Sequence, residues 1–181
     1  VARGDLGVEM PPEEVPIIQK RIVQSCRDFG KPVVVATQML DSMINSPSPT
    51  RAEASDVATA VFDAADSLML SAETASGKFP VQSVQIMDRI IRGVENDDSY
   101  RQILESKKIK LEETTSDAIS SAASQVVKTV LAKAIFTYTR SGATAKRAAR
   151  ERPTVPIIGL SPDRITARQL ALIWGVHTIH A

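Results

Sequence analysis

Aromatic residues are scarce in this chain, only 4% of its 181 residues. So few rings exclude the stacking platforms with which proteins grip single-stranded nucleic acid. Cys26 is the single cysteine, which excludes an internal disulfide framework and suits a reducing compartment such as the cytoplasm. Neither sign of charge predominates. Against 22 basic residues stand 21 acidic ones, a net charge of +1, so no overall field draws the chain to nucleic acid or a membrane. No apolar run reaches the ~20 residues of a membrane span, and the first residues lack the basic and apolar regions of a secretory leader. The chain starts with Val1 rather than Met, as a processed or excised piece would. What is present is 43% hydrophobic and 24% charged, the make-up of a soluble globular protein with an aliphatic core. The length suits one domain or a little more.

Helix and strand patterns alternate along the chain. Residues 13–29 read as a helix, with Val15, Ile18, Ile22, Cys26 and Phe29 on one face, prolines before it and Gly30 after it. Residues 32–36 are short, β-branched and uncharged, a strand buried on both faces. Residues 39–49 read as a long connection. Thr50 and Glu53 form a capping box opening a helix that turns Val57, Ala60, Val61 and Ala64 inward. Residues 67–70 read as the next strand, and Phe79-Pro80 opens a helix through Val84, Met87, Ile91 and Val94. This is the βα rhythm of a parallel sheet. A dense charge cluster follows, including Lys108, Lys110 and Glu112. It sets an expected boundary between domains at 1–97 and 98–181. Beyond it Ser116 is expected to cap a helix with Ile119, Ala122, Ala123, Val126, Val127 and Val130 inward. Strands at 134–138, 155–160 and 176–179, with helices at 142–151 and 165–172, make a second α/β unit.

Four segments carry candidate chemistry. Val1-Ala2-Arg3-Gly4-Asp5-Leu6-Gly7 reads as a strand end turning sharply into a loop. There two glycines permit close approach of a ligand, exposed amides can hold an anion, and a carboxylate can hold a hard cation beside it. Ala36-Thr37-Gln38-Met39 places a hydroxyl at the carboxyl end of its strand, the edge where parallel α/β folds bind ligands. Leu70-Ser71-Ala72-Glu73-Thr74-Ala75 brings Ser71 or Glu73 to the same rim. Each also reads as ordinary turn or cap chemistry, but three polar loops at successive strand ends favour a shared site. Fourth, Thr137-Tyr138-Thr139-Arg140-Ser141-Gly142-Ala143-Thr144 joins a strand to a helix start as a phosphate cradle. Lys146, Arg147, Arg150 and Arg152 add positive field, or form a solvated basic face. His177 and His180 have no carboxylate or cysteine at ligand spacing and read as structural.

In order and spacing, Val1-Ala2-Arg3-Gly4-Asp5-Leu6-Gly7-Val8-Glu9, Ala36-Thr37-Gln38-Met39-Leu40-Asp41-Ser42-Met43, Pro49-Thr50-Arg51-Ala52-Glu53-Ala54-Ser55-Asp56-Val57 and Leu70-Ser71-Ala72-Glu73-Thr74-Ala75 closely resemble pyruvate kinase. Residues 142–153 and Thr166-Ala167-Arg168-Gln169 resemble its C-terminal domain more loosely. The resemblance implies the C-terminal part of a (β/α)8 TIM barrel, strands six to eight, followed by an incomplete α/β C-terminal domain. It implies phosphoryl transfer from phosphoenolpyruvate to ADP, giving pyruvate and ATP in glycolysis, with Mg (or Mn) and K. By position, Asp5 would be one of two carboxylates on the divalent ion, and the Gly4 and Asp5 amides would bind the substrate carboxylate. Thr37 would sit beside the carbon that is protonated. Thr139, Arg140, Ser141, Gly142 and Thr144 overlie a loop that binds a sugar-phosphate effector in many members, though Ala143 has no side-chain donor. A cytoplasmic homo-oligomer, commonly a tetramer, is implied, without nucleic-acid or membrane partners.

The family's catalytic Lys and second metal carboxylate fall before Val1, so these 181 residues alone are expected to be inactive. Ala72 stands where many members carry Gly. Two rival readings remain at this point: another barrel acting on phosphoenolpyruvate or a keto acid, such as an aldolase or lyase, and a non-catalytic regulatory or assembly module.

Overall fold

The computed structural model describes residues 1–107, 109 and 113–181; the charges at Lys108, Lys110 and Glu112 lie outside the described residues. Contacts group the chain into two units, Val1–Ser25 with Val33–Lys108, and Cys26–Pro32 with Ile109–Ala181.

In the first unit the β-branched run forms β1 (Val34–Ala36), with Val33 and Val35 buried. β2 (Ser67–Met69) pairs with it in parallel, Val34 opposite Ser67 and Ala36 opposite Met69. Along the other side of β1, Ala2 forms a parallel bridge to Ala36, and the Ala36 amide donates to the Val1 carbonyl. Parallel direction therefore brings three chain exits to one edge: after Ala2, after Ala36 and after Met69. The first exit is not the expected loop. It is helix α1 (Arg3–Glu9), opened by the Leu6 amide donating to the Ala2 carbonyl. Gly4 and Gly7 each penalise a helix by about 1 kcal/mol relative to Ala, so the residue pattern alone favours a turn.

Helix α2 (Val15–Asp28) follows the expected span, but its buried positions are Gln19, Val23 and Arg27, and Phe29 is exposed. The connection at 39–49 is core rather than surface. Met39, Leu40 and Met43 are fully buried around a 3-10 turn, Asp41–Ile44. Helix α3 (Arg51–Phe62) begins at the Thr50–Glu53 capping box and buries Val57, Ala60 and Val61, with Ala64 just beyond. After α4 (Ala72–Ala75), α5 (Pro80–Glu95) buries Met87 and Val94 but exposes Val84. Helix α6 (Asp98–Ser106) sets Tyr100 against Val61 and Val94 and edge-on to Phe62, so the segment just past residue 97 packs in the first unit.

The second unit holds α7 (Thr115–Val130), β3 (Ile135–Tyr138), α8 (Ala143–Arg150), β4 (Ile157–Ser161), α9 (Arg164–Leu170) and β5 (Val176–His180). Its strands are all parallel, in the order β3-β4-β5. Ala145, Ala148, Ala149, Ile157, Leu170, Ile173 and Val176 form its core. Thr114, not Ser116, caps α7 by accepting from the Asp117 amide. The expected apolar stripe of α7 faces outward at Ile119, Val126 and Val130, while Asp117, Ser120 and Val127 are buried. Asp117 explains that rotation. It is fully buried and pairs with Arg150 at 2.7 Å and Arg147 at 3.1 Å, both on α8. A buried carboxylate demands such partners, and that demand overrides the apolar pattern. Among the described residues no helix is long and apolar enough to cross a membrane.

Candidate active site at the strand ends

Thr37 and Gln38 leave β1 with φ of +70° and +53°. A β-branched residue in the left-handed region is an outlier, costing about 1–3 kcal/mol and persisting only where its surroundings over-determine it. They do so here. The Thr37 hydroxyl donates to the Ala36 carbonyl at 2.6 Å and accepts from the Gly4 amide at 2.8 Å. Arg3 Nε and Nη2 each donate to the Thr37 carbonyl at 3.2 Å, and Nη2 donates to the Gln38 carbonyl at 2.6 Å. Arg3 Nη1 meets Asp56 of α3 at 2.6 Å. The structure thus brings two of the residues singled out from the sequence, Gly4 and Thr37, into direct contact.

Arg3 and Asp56 were not among the candidates read from the sequence. A signal for them exists: the capping box fixes where α3 begins, which places Asp56 on its second turn, and Arg3 directly precedes the glycine that meets Thr37.

Asp5 lies in the first turn of α1 and is exposed. The amides of Gly4 and Asp5 precede the first helical bond of α1, so neither is bound to be spent within the helix. Among the described residues no group of three or more His, Cys, Asp or Glu side chains could hold a metal ion. A magnesium ion commonly takes only one or two protein carboxylates and completes its shell with water and substrate phosphate oxygens. Asp5 fits as one member of such a shell and does not make a closed cage.

The third loop contributes a bracket. Glu73 is 2% exposed; its Oε1 accepts from the Leu40 amide at 3.2 Å and its Oε2 from the Ser71 amide at 2.7 Å. It therefore binds the loop after β1 to the loop after β2, and its carboxylate is spent on the backbone. Glu53 does similar work at the start of α3. It accepts from the Ser42 amide and hydroxyl, both at 2.6 Å, and from the Thr50 amide at 2.7 Å. Burial alone would raise its pKa, but the hydrogen bonds from Ser42 and Thr50 together win and hold it below the ordinary glutamate value.

In the second unit Thr139 is buried, its amide bonded to the Leu160 carbonyl at 2.9 Å. Arg140, Ser141 and Thr144 are exposed, and Gly142 caps α8 with φ of +81°. Thr166 Oγ1 lies 2.9 Å from the Arg140 carbonyl and 2.7 Å from Asp163. The basic residues beside this loop do not act as one solvated face. Arg150 and Arg152 are buried, the first paired with Asp117 and the second 4.7 Å from the Trp174 ring. His177 and His180 are exposed on β5.

Comparison with known proteins gives the following. The family description "Pyruvate kinase, barrel domain" matches residues 1–84, and "Pyruvate kinase, alpha/beta domain" matches residues 117–181. The chain is 56% identical over 179 residues to a pyruvate kinase of Methylorubrum extorquens, covering 99% of this chain and 37% of that protein. It is 48% identical to a pyruvate kinase of Geobacillus stearothermophilus, covering 100% of this chain and 31% of that protein. A crystal structure of a pyruvate kinase from Cryptosporidium parvum superposes with a TM-score of 0.94 at 42% identity, over 100% of this chain and 37% of that chain. The chain thus spans about a third of the length of the relatives it matches.

Proposed function

This chain belongs to the pyruvate kinase family, and from that premise we propose that the protein it comes from transfers the phosphoryl group of phosphoenolpyruvate to ADP, giving pyruvate and ATP. Membership of a phosphotransferase family leaves the aldolase, lyase and non-catalytic readings without support. We place Val1–Ala2, β1 and β2 as neighbouring strands six to eight of a (β/α)8 barrel; their parallel order and common exit edge support this.

The observation that carries the site is the 2.8 Å contact between the Gly4 amide and the Thr37 hydroxyl. In the proposed reaction the Gly4 and Asp5 amides receive the substrate carboxylate, so the Gly4 amide exchanges its hydroxyl partner for a charged oxygen, a stronger acceptor. The Thr37 hydroxyl, which donates to the Ala36 carbonyl before substrate binds, lies beside the methylene carbon and relays a proton to it, giving its own through water and taking a replacement from solvent, because a hydroxyl is a poor acid alone. Asp5 is the residue that would hold a divalent cation, Mg or Mn, which when bound neutralises charge on the phosphoryl oxygens. Potassium enters from the family alone, with no side chain of this chain assigned to it. Thr139, Arg140, Ser141, Gly142 and Thr144 form the proposed site for a sugar-phosphate effector, supported by the exposed Arg140 beside the first turn of α8. A cytoplasmic homo-oligomer belongs to the same proposal.

The test is steady-state turnover of the full-length protein with phosphoenolpyruvate and ADP while Mg is titrated. Asp5→Ala should reduce turnover about 100-fold or more, because the ion stabilises transition-state charge by several kcal/mol. Turnover and Mg response unchanged in Asp5→Ala would reject the assignment. Arg140→Ala should weaken sugar-phosphate binding in calorimetry without altering turnover in the absence of effector.

A further inference from the structure

Thr37 and Gln38 are consecutive left-handed residues, and their two carbonyls converge on one guanidinium. Arg3 meets them with three hydrogen bonds from Nε and Nη2 and turns its remaining terminal nitrogen, Nη1, to Asp56. The next residue, Gly4, supplies the amide that the Thr37 hydroxyl accepts from. One dipeptide, Arg3-Gly4, therefore fixes Thr37 before substrate arrives: Arg3 holds its backbone, and the Gly4 amide holds its side chain until the substrate carboxylate takes that amide.

We infer that Arg3 is a positioning residue for the reaction, holding the Thr37 hydroxyl in register by clamping the Thr37 and Gln38 carbonyls. The inference rests on the reading of Thr37 as the group beside the protonated carbon. Without the clamp, nothing else described here draws these two carbonyls to the same point, and a β-branched residue relaxes toward negative φ. That relaxation rotates Cβ and carries the hydroxyl away from the place it holds against the Ala36 carbonyl. The fork geometry matters as much as the charge. A guanidinium presents donors in a rigid plane that spans two acceptors and a carboxylate at once, whereas a lysine ammonium is a single point on a flexible stem. The Arg3 side chain is 11% exposed and Asp56 is 53% exposed, so the clamp is sheltered on the carbonyl side and open to water behind. The Gln38 side chain has no part in it; only its carbonyl does.

The experiment uses the full-length protein with Arg3→Ala, Arg3→Lys, Thr37→Ala and the Arg3→Ala/Thr37→Ala pair, each first verified as folded by circular dichroism. Two rates are read: turnover of phosphoenolpyruvate with ADP and Mg, and deuterium uptake into the methyl group of pyruvate, which reports proton transfer at carbon alone. Arg3→Ala should lower kcat and deuterium uptake about 100-fold, the scale of a misplacement near 1 Å, with KM for phosphoenolpyruvate little changed. Arg3→Lys should not rescue it, added methylguanidinium should restore part of the rate, and the double variant should be no slower than Thr37→Ala, as for residues acting as one unit. If Arg3→Ala does not fold, Arg3→Lys carries the same criteria.

Full activity in the Arg3 variants while Thr37→Ala is impaired overturns the clamp alone. Losses that multiply in the double variant, or a lysine that restores the rate, also overturn it. Full activity in Thr37→Ala overturns the reading of Thr37 and the clamp with it.

Discussion

At the scale of single residues, the site region is held by polar groups that spend themselves on the backbone. Glu73 is the clearest case, since both its oxygens accept amides from different loops and the side chain is 2% exposed. Glu73→Ala leaves the Leu40 and Ser71 amides without their acceptor, and should cost about 3 kcal/mol, since each buried unsatisfied group costs roughly 1–3. Glu73→Gln keeps one acceptor oxygen and should cost less. Urea titration checks the order: midpoints should fall from wild type to Gln to Ala at constant slope, and equal midpoints for Gln and Ala would contradict the two-amide bracket. In the second unit Gly142 is constrained by its backbone instead. It has φ of +81°, and an added Cβ would lie 3.1 Å from Leu170 Cδ2. Gly142→Ala therefore meets both backbone strain and crowding, and should lower stability by about 1–3 kcal/mol.

At the scale of elements, helices are set as much by their polar ends and buried charges as by apolar stripes. The Thr50–Glu53 capping box was legible from four letters because its bonds are local. The same Glu53 also accepts from Ser42, eleven residues earlier, and no local pattern announces that bond. Its folded pKa lies below the ordinary glutamate value of 4.5, so the unfolded chain takes up the proton first as pH falls. The stabilisation is complete above that ordinary value and is lost as pH drops through the lower folded one. Glu53→Gln should lower stability at pH 7 and flatten this acid dependence; an unchanged acid profile would contradict the assignment. Helix α7 shows the opposite limit. Its span was legible, but its buried face was not, because Asp117 turns inward to meet Arg147 and Arg150 on α8. Asp117→Ala should cost about 3–5 kcal/mol by leaving buried guanidinium charge uncompensated, whereas Ile119→Ser, on the expected apolar stripe, should cost far less. The strand exits and Thr37 were readable as candidates for the same local reason. The left-handed backbone at Thr37 and Gln38 and the Arg3 clamp were not, since they arise only when residues more than thirty apart in sequence meet.

At the scale of the molecule, the described part of the first unit gives two paired strands and the Ala2 bridge, while a closed (β/α)8 barrel has eight strands in about 250 residues. Phosphoryl transfer depends on charge neutralisation and positioning around three phosphoryl oxygens. In the proposed reaction Asp5, the Thr37 hydroxyl and the first amides of α1 are what these strand ends bring to that task. Arg3 stands beside them, but its guanidinium is already engaged with two carbonyls and Asp56. Among the described residues no group of three or more His, Cys, Asp or Glu side chains could hold a metal ion, and Arg3, so engaged, is not offered to the transferring group. The 181-residue chain by itself should therefore form no pyruvate above a buffer control when given phosphoenolpyruvate, ADP, Mg and K, even where circular dichroism shows it folded. The decisive control is Asp5→Ala in the same short chain. Pyruvate formation that disappears with Asp5→Ala would mean that these strand ends assemble a working site without further carboxylates or cations, and would overturn the expectation that the site needs them.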